Sequence, residues 1–330
     1  MAAERRRDVR LALVLNGGVS LAIWIGGVTR EIDELRLGSE LDPNPPPPAG
    51  KLGSTGRFYC DLMETLQQRA RVDVIAGASA GGINGILLGS AIYAGKPLPS
   101  GLREIWIGLG DFKSLLRSPS KRDPPSLMLG DDVVLTQLRE TVSSILSGPS
   151  EPQDQSVFVY VTATDLLGRW LPFVDTTGRS FRERDHRRVL QFEYRHDDKD
   201  VAKPATSPKE LSMPPKVRFK DGDAPELLAR SGRATASFPI AFEPHELAFV
   251  GEKPTDKPDH RWLIDGGLLD NQPFNPVLDR ISVLPSAVPV RRVVAYVVPY
   301  VNEPASALDE AAKTEKEDAN ARQVYGATGA

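Results

Sequence analysis

The sequence contains a single cysteine, Cys60, among its 330 residues. One thiol excludes an internal disulfide framework and any zinc site built on several cysteines. The net charge of −3 provides no basic excess of the kind that nucleic-acid-binding domains carry, so nucleic acid is not an expected partner. This cysteine usage is typical of a cytosolic protein, and we expect a cytoplasmic location.

Long apolar runs are also missing, since no stretch reaches the roughly 18 uninterrupted apolar residues of a spanning helix. Arg5–Arg7 followed by Leu11–Leu15 resembles the start of a signal peptide. However, Asp8 lies in the basic flank, and the apolar run ends at Asn16-Gly17-Gly18. We therefore expect neither a transmembrane segment nor a cleaved leader, and only transient contact with a membrane surface.

The first third of the chain alternates between strand and helix patterns. Val9–Leu15 predicts a buried strand, because it is short and apolar and ends at a glycine pair. Helical character follows over Ser20–Leu37. A second passage runs from the strand Arg71–Ala76 through Gly77 into an apolar helix over Ala80–Ala94. Strand, glycine turn and helix in this order indicate an α/β fold.

The remaining elements are predicted from apolar patterning between charged stretches. We predict a strand over Val157–Thr164 with Arg169–Val174 as its hairpin partner, a helix over Leu227–Ala236, and strands at Trp262–Ile264 and Arg292–Val301.

Two charged or polar stretches complete the domain organisation. Residues 178–223 are interpreted as a charged insertion, either solvated or covering the site, and residues 302–330 as a polar tail. We predict one α/β domain over residues 1–330. The polar tail after an apolar strand suggests a piece of a longer protein.

The segment Gly77-Ala78-Ser79-Ala80-Gly81-Gly82 has the Gly-x-Ser-x-Gly pattern of a nucleophile elbow between strand and helix. A serine on such a strained turn needs small neighbours, and those of Ser79 are alanines and glycines. The adjacent helix N-terminus would supply N–H groups to a developing oxyanion. The Gly-Lys-Ser/Thr of a Walker loop and the spacing of a dinucleotide fingerprint are both absent. A tight strand–helix junction without chemistry remains the alternative.

Histidine, the usual base for a serine nucleophile, is scarce. The sequence has only His186, His196, His245 and His260, whereas an α/β-hydrolase triad places its histidine last in the chain. We interpret all four as surface side chains. A histidine triad is therefore disfavoured, with His245 or His260 left open as the base of a histidine-dependent serine hydrolase.

Asp265 is the better candidate base. It lies between an apolar strand and two glycines, at the carboxyl end of a strand, which is where open α/β sheets bind ligands. A carboxylate against a serine hydroxyl can orient it and accept its proton. A simple aspartate-glycine turn is the alternative.

Several segments resemble the patatin-like phospholipases, lipid acyl hydrolases with a Ser–Asp dyad, and they follow one another along the chain in the order found in that family. Leu13–Val19 is similar to the glycine-rich oxyanion loop of that family, Gly77–Gly82 to its nucleophile elbow, and Asp265-Gly266-Gly267 to its Asp-Gly-Gly/Ala motif. Ala229–Phe242 and Thr162–Leu166 resemble further segments of the family.

The resemblance implies a three-layer α/β/α fold with a mostly parallel central sheet. It implies Ser79 as the nucleophile, Asp265 as the base, and backbone N–H groups at Gly17, Gly18 and Val19 as the oxyanion hole. The expected activity is that of a phospholipase or esterase acting on carboxylic esters of lipids, with no metal or organic cofactor. Head group, acyl length, cleavage position and oligomeric state are left open.

The oxyanion loop departs from the family pattern, which usually continues with a third glycine, a basic residue and a further glycine. Val19-Ser20-Leu21-Ala22 occupies that stretch. A Cβ where glycine is expected restricts positive φ angles and narrows the approach to the site. This departure leaves a second function open, a non-catalytic lipid- or protein-binding module on the same fold.

Overall fold

The computed structural model describes residues 6–18, 22–43, 52–53, 55–118, 126–148, 154–196, 217–249, 259–284, 286 and 290–299. The predicted oxyanion donor Val19, Leu21 and the polar tail 302–330 lie outside the described residues. The chain divides into two units, Met1–Val298 and Pro299–Ala330, and the fold below is that of the first.

Eight strands occur in the described ranges and form one sheet. They are β1 (Arg7–Leu15), β2 (Gln68–Gly77), β3 (Val157–Val174), β4 (Ser180–Tyr194), β5 (Val217–Arg218), β6 (His245–Phe249), β7 (Asp259–Asp265) and β8 (Arg291–Val297).

Helices connect these strands. They are α1 (Ala22–Glu40), α2 (Gly56–Thr65), α3 (Ala80–Ala94), α4 (Leu102–Leu109), α5 (Phe112–Leu115), α6 (Thr136–Leu146), α7 (Ala224–Thr235) and α8 (Phe274–Val283), with a π-helical turn at Gly130–Leu135 and a 3-10 turn at Gly266–Leu268. None of the helices in the described ranges combines the length and the apolar composition of a membrane span.

The centre of the sheet is parallel. Its strand order is β5-β4-β3-β2-β1-β8, and β3, β2, β1 and β8 run parallel to one another. Strands β4 and β7 both pair with β3 in the antiparallel sense, and β6 pairs with β7.

Side chains alternate between the two faces of this sheet and build one apolar layer on each. Leu13, Ile75 and Val159 pack with α3 and its neighbouring helices, whereas Val14 and Phe158 pack on the side of α8. Every residue of α3 except Tyr93 is buried, as its apolar circumference predicted. These layers confirm the three-layer α/β/α fold.

The prediction of Arg169–Val174 as a separate hairpin strand is wrong. Gly168 has a φ of 62° and lies in a bulge where the β3–β4 register shifts between Thr164 and Arg169. The turn comes later, where the Asp175 carboxylate accepts hydrogen bonds from two N–H groups of the turn. Strand β3 therefore continues unbroken to Val174.

The charged segment 178–223 also differs from the expected insertion in its first part. Residues 180–194 form β4, which pairs with β3 along nearly its whole length. Leu190 and Phe192 face the core, while the preceding half of the strand carries the exposed charges. Only the C-terminal part of β4 is buried, so the charged first half does not show the apolar alternation that would predict a strand. Residues 197–216 lie outside the described residues.

Candidate active site

Ser79 and Asp265 meet because two strands end against the same segment of β3. Strand β2 runs along β3 as far as the pair Gly77–Val161, and β7 arrives from the opposite direction at the pair Asp265–Ala163. The carboxyl ends of β2 and β7 are thus two positions apart on one strand. Ser79 follows two residues after Gly77, and its Oγ donates a hydrogen bond to Asp265 Oδ2 at 2.8 Å.

Ser79 has the strained backbone that a nucleophile elbow requires. Its φ of 51° and ψ of −124° are rare for a residue with a side chain, and such conformations cost of order 1–3 kcal/mol. The Ser79 N–H donates to Thr235 Oγ1 at 2.8 Å, which holds the turn in place. A Cβ at Gly81 would collide with the Leu15 carbonyl, so the first turn of α3 lies directly on the end of β1.

The first turn of α3 begins immediately after Ser79, at Ala80. The leading N–H groups of a helix have no partner within it, and the helix dipole makes this end positive. The elbow therefore presents donors beside the serine hydroxyl, as an anionic intermediate requires.

Asp265 is buried, with 3% of its surface exposed, and all of its polar groups are bonded. Besides Ser79, its carboxylate accepts the Gly267 N–H at 2.7 Å through Oδ1. Its backbone N–H donates to the Ser237 carbonyl at 3.0 Å, and its own carbonyl accepts from Thr164 Oγ1 at 2.9 Å. Burial raises the pKa of Asp265 to about 6, against the lowering effect of the hydrogen bonds to its carboxylate. It is therefore a stronger base than an ordinary aspartate.

The predicted oxyanion loop is tied to the loop that follows Asp265. The Gly17 N–H donates to Asn271 Oδ1 at 2.9 Å. A role for Gly17 as an oxyanion donor therefore requires that this bond be exchanged for one to substrate. Of the other two predicted donors, Gly18 belongs to the described residues and Val19 lies outside them.

A buried arginine supports the segment that holds Asp265. Arg233, 1% exposed, donates to Ser237 Oγ at 2.5 Å and pairs with Glu243 at 3.0 Å. The Ser237 carbonyl accepts the Asp265 N–H. By holding Ser237, Arg233 therefore also holds the backbone of Asp265 in position at the end of β7. Breaking a buried ion pair on one side costs about 3–5 kcal/mol.

The histidines have other partners. Three of them contact acidic residues: His186 Nδ1 bonds the Asp165 carbonyl, His245 pairs with Asp131, and His260 pairs with Glu246. His196 is bonded through its backbone N–H to Ser156 Oγ. The prediction that His245 lies on the surface is wrong, because its ring is 2% exposed between Asp131 and Arg230. The hydrogen bond of Ser79 Oγ goes to Asp265 instead.

Three supporting residues were not singled out from the sequence: Thr235, Ser237 and Asn271. The first two lie at the C-terminal end of α7, where the Ser237 hydroxyl donates to the Arg233 carbonyl four residues earlier, and no local pattern marks either of them as part of a site. Asn271 follows the glycine pair by four residues, and nothing local distinguishes it from an ordinary turn asparagine.

Known proteins resemble this chain over most of its length. Residues 13–278 match a family model described as patatin-like phospholipase, a range that includes Ser79 and Asp265. A Mycobacterium tuberculosis protein named uncharacterized membrane protein Rv3479 is 35% identical over 321 residues. That alignment covers 89% of this chain and 27% of the relative, so the chain spans only a minor part of the relative's length. The chain belongs to the patatin-like phospholipase family.

Proposed function

We propose that the protein is a lipid acyl hydrolase of the phospholipase or esterase type, with Ser79 as nucleophile and Asp265 as base. The observation that carries this proposal is the 2.8 Å hydrogen bond from Ser79 Oγ to the buried Asp265 carboxylate. Membership of the patatin-like phospholipase family supports lipid hydrolysis at the level of the family.

In the first step, Ser79 Oγ attacks the ester carbonyl carbon while Asp265 Oδ2 takes the hydroxyl proton. Negative charge develops on the carbonyl oxygen and is stabilised by N–H groups of the α3 first turn and of the Gly18 region. Collapse of this intermediate breaks the ester bond. The alcohol leaves with the proton held by Asp265, and the acyl group remains on Ser79.

In the second step, a water molecule gives a proton to Asp265 and attacks the acyl carbonyl. The bond to Ser79 Oγ breaks, and the oxygen recovers its proton from Asp265. The fatty acid is released and the dyad is restored. One carboxylate thus acts as base and acid in turn.

The raised pKa of Asp265 suits both roles. A base with a pKa of about 6 is mostly ionised at pH 7 and above, yet binds a proton more strongly than an exposed aspartate. Burial therefore supplies part of what the imidazole supplies in a histidine triad.

In this proposal the protein is located in the cytosol and the reaction takes place at a membrane surface. Its lipid substrates are found there, and the Mycobacterium tuberculosis relative is named a membrane protein. Head group and acyl length depend on residues that line the path to Ser79.

A second candidate is a non-catalytic lipid-binding module. It is supported by the Gly17 N–H, which already donates to Asn271 Oδ1 and would have to give up this bond before it could act as an oxyanion donor. This function requires no Ser79 nucleophile, and it predicts lipid binding that is unaffected by Asp265→Asn.

Turnover of a short-chain p-nitrophenyl ester and of phosphatidylcholine separates the two. Ser79→Ala and Asp265→Asn are each expected to lower kcat/KM by about 10³ or more. Ser90→Ala is a matched control, because Ser90 is a fully buried serine within α3, the helix that follows Ser79. Full activity of Ser79→Ala would refute the acyl hydrolase. No turnover by any form, with lipid binding intact, would favour the binding module.

A further inference from the structure

Strands β3 and β4 continue past the rest of the sheet as a two-stranded ribbon. In the ribbon, Arg169–Val174 pairs with Ser180–Asp185, whereas the contacts of β3 with β7 end at Asp165. Six residue pairs at about 3.3 Å each extend roughly 20 Å. Because β3 is parallel to β2, the ribbon leaves the sheet at the edge where β2 ends and Ser79 lies.

The two faces of the ribbon differ in chemistry. Cross-strand partners and alternate residues share a face. The first face, here called the Trp170 face, carries an apolar row beside a basic row and has no carboxylate. Its members are Trp170, Pro172, Val174, Ser180, Arg182 and Arg184.

The opposite face carries both signs of charge. There, Arg169 is opposite Asp185, Leu171 opposite Glu183, and Phe173 opposite Phe181. The aromatic pair is in contact, with ring centroids 4.8 Å apart. The positive and negative charges of this opposite face therefore offset each other. The Trp170 face carries two arginines and no acidic residue, so its positive charge is not offset.

The Trp170 face is open to its surroundings. Trp170 is 59% exposed and Val174 is 62% exposed, and Arg182 and Arg184 are exposed as well. The Arg184 guanidinium lies 5.5 Å from the centre of the Trp170 ring. Apolar side chains clustered on a surface in this way mark a site of interaction.

We propose that the Trp170 face is the surface on which the protein docks to an anionic lipid bilayer. Tryptophan and arginine place an apolar body in the headgroup region and a polar group in water. Arginines near an anionic bilayer surface are attracted to it, and a face without carboxylates meets no repulsion. Docking there would bring the Ser79 edge of the sheet toward the bilayer. This consequence rests on the proposed function, whereas the docking itself does not.

Vesicle flotation tests the proposal in the 330-residue chain with Ser79→Ala, a change that leaves the lipid intact. The vesicles are phosphatidylcholine alone or phosphatidylcholine mixed with phosphatidylglycerol. Binding is expected only to the mixed vesicles and should weaken with added salt. Arg182→Glu with Arg184→Glu should lower the partition coefficient by about tenfold or more, and Trp170→Ser should lower it as well.

The control pair Arg103→Glu with Arg291→Glu makes the same change in net charge. Both side chains are exposed and lie outside the ribbon, and Arg291 starts β8 at the opposite edge of the sheet. The control should bind mixed vesicles as the parent does. Equal binding by the ribbon and control variants would overturn the proposal. Failure of the parent Ser79→Ala protein to bind mixed vesicles would overturn it as well. A lipid-free dimer that the ribbon variants dissociate would assign the face to self-association instead.

Turnover of a soluble ester separates this proposal from the proposed function. Ribbon variants made with Ser79 present should retain full kcat/KM on the soluble ester, which also shows that they fold. If flotation fails while that turnover needs Ser79, only the docking surface is wrong. If flotation succeeds while no turnover depends on Ser79, the acyl hydrolase is wrong and the docking surface stands.

Discussion

Replacing Asp265 by asparagine is expected to stabilise the fold above neutral pH while abolishing ester hydrolysis. Asp265 is 3% exposed, and its pKa is set by burial and by two hydrogen bonds, with no contribution from a cationic side chain. Ionising it therefore opposes folding. Asparagine has nearly the same shape and retains an oxygen that can accept the Gly267 N–H.

The magnitude follows from the pKa of Asp265. The value rises from 3.8 to about 6 on folding, and a difference of about two corresponds to roughly 3 kcal/mol. Since the folded pKa is the higher one, this contribution to stability is fully present below about pH 3.8 and is lost as pH rises through about 6. Allowing about 1 kcal/mol for a weakened hydrogen bond to Ser79, the variant should gain roughly 2 kcal/mol at pH 8.

Urea unfolding of wild type and Asp265→Asn at about pH 5 and about pH 8 measures this effect. The advantage of the variant should grow between the two values. Asp61→Asn, which removes an exposed carboxylate on α2, controls for net charge and should show no such growth. A stability difference that is the same at both pH values would refute the reasoning, because Asp265 would then not be ionised against burial.

Three further predictions concern the same dyad. For a soluble ester, kcat/KM should rise through about pH 6 and level off above it, since Asp265 must be ionised; a flat profile would contradict this. Thr235→Val should cost about 1–3 kcal/mol in urea unfolding and slow turnover, because it leaves the buried Ser79 N–H without its acceptor, whereas Thr235→Ser should behave like wild type. Asn271→Leu should lower kcat, because the loop that carries Gly17 loses the acceptor that anchors its N–H; a rate equal to that of wild type would remove Asn271 from the site.

The parts of the candidate site that lie within one continuous segment can be predicted from the sequence. The elbow around Ser79 is recognisable because strand, small residues and helix follow each other directly. Asp265 is recognisable because its strand and its two glycines are adjacent. These features are local, so patterns of apolar and small residues are sufficient to predict them.

Contacts between distant segments could not be predicted in this way. Thr235 is 156 residues from Ser79, and Asn271 is 254 residues from Gly17. Their meeting depends on the register of β2 and β7 along β3, which periodicity does not determine because a strand pattern repeats every two residues.

Strand β4 and His245 show a related limit. Charge suggested that both were exposed, but Leu190 and Phe192 anchor β4 in the core. His245 is buried because Asp131 pairs with it from a different part of the chain. A polar residue can be buried when a partner satisfies it, and the partner is not visible in the local sequence.

Covalent labelling with a fluorophosphonate, followed by peptide mass spectrometry, tests the Ser79–Asp265 dyad most directly. The native protein should carry one adduct, on Ser79. Labelling should be slowed strongly by Asp265→Asn and should be absent after denaturation, because only the folded chain brings the carboxylate to the hydroxyl. A folded protein that is unlabelled at Ser79, or labelled equally fast without the Asp265 carboxylate, would contradict the dyad.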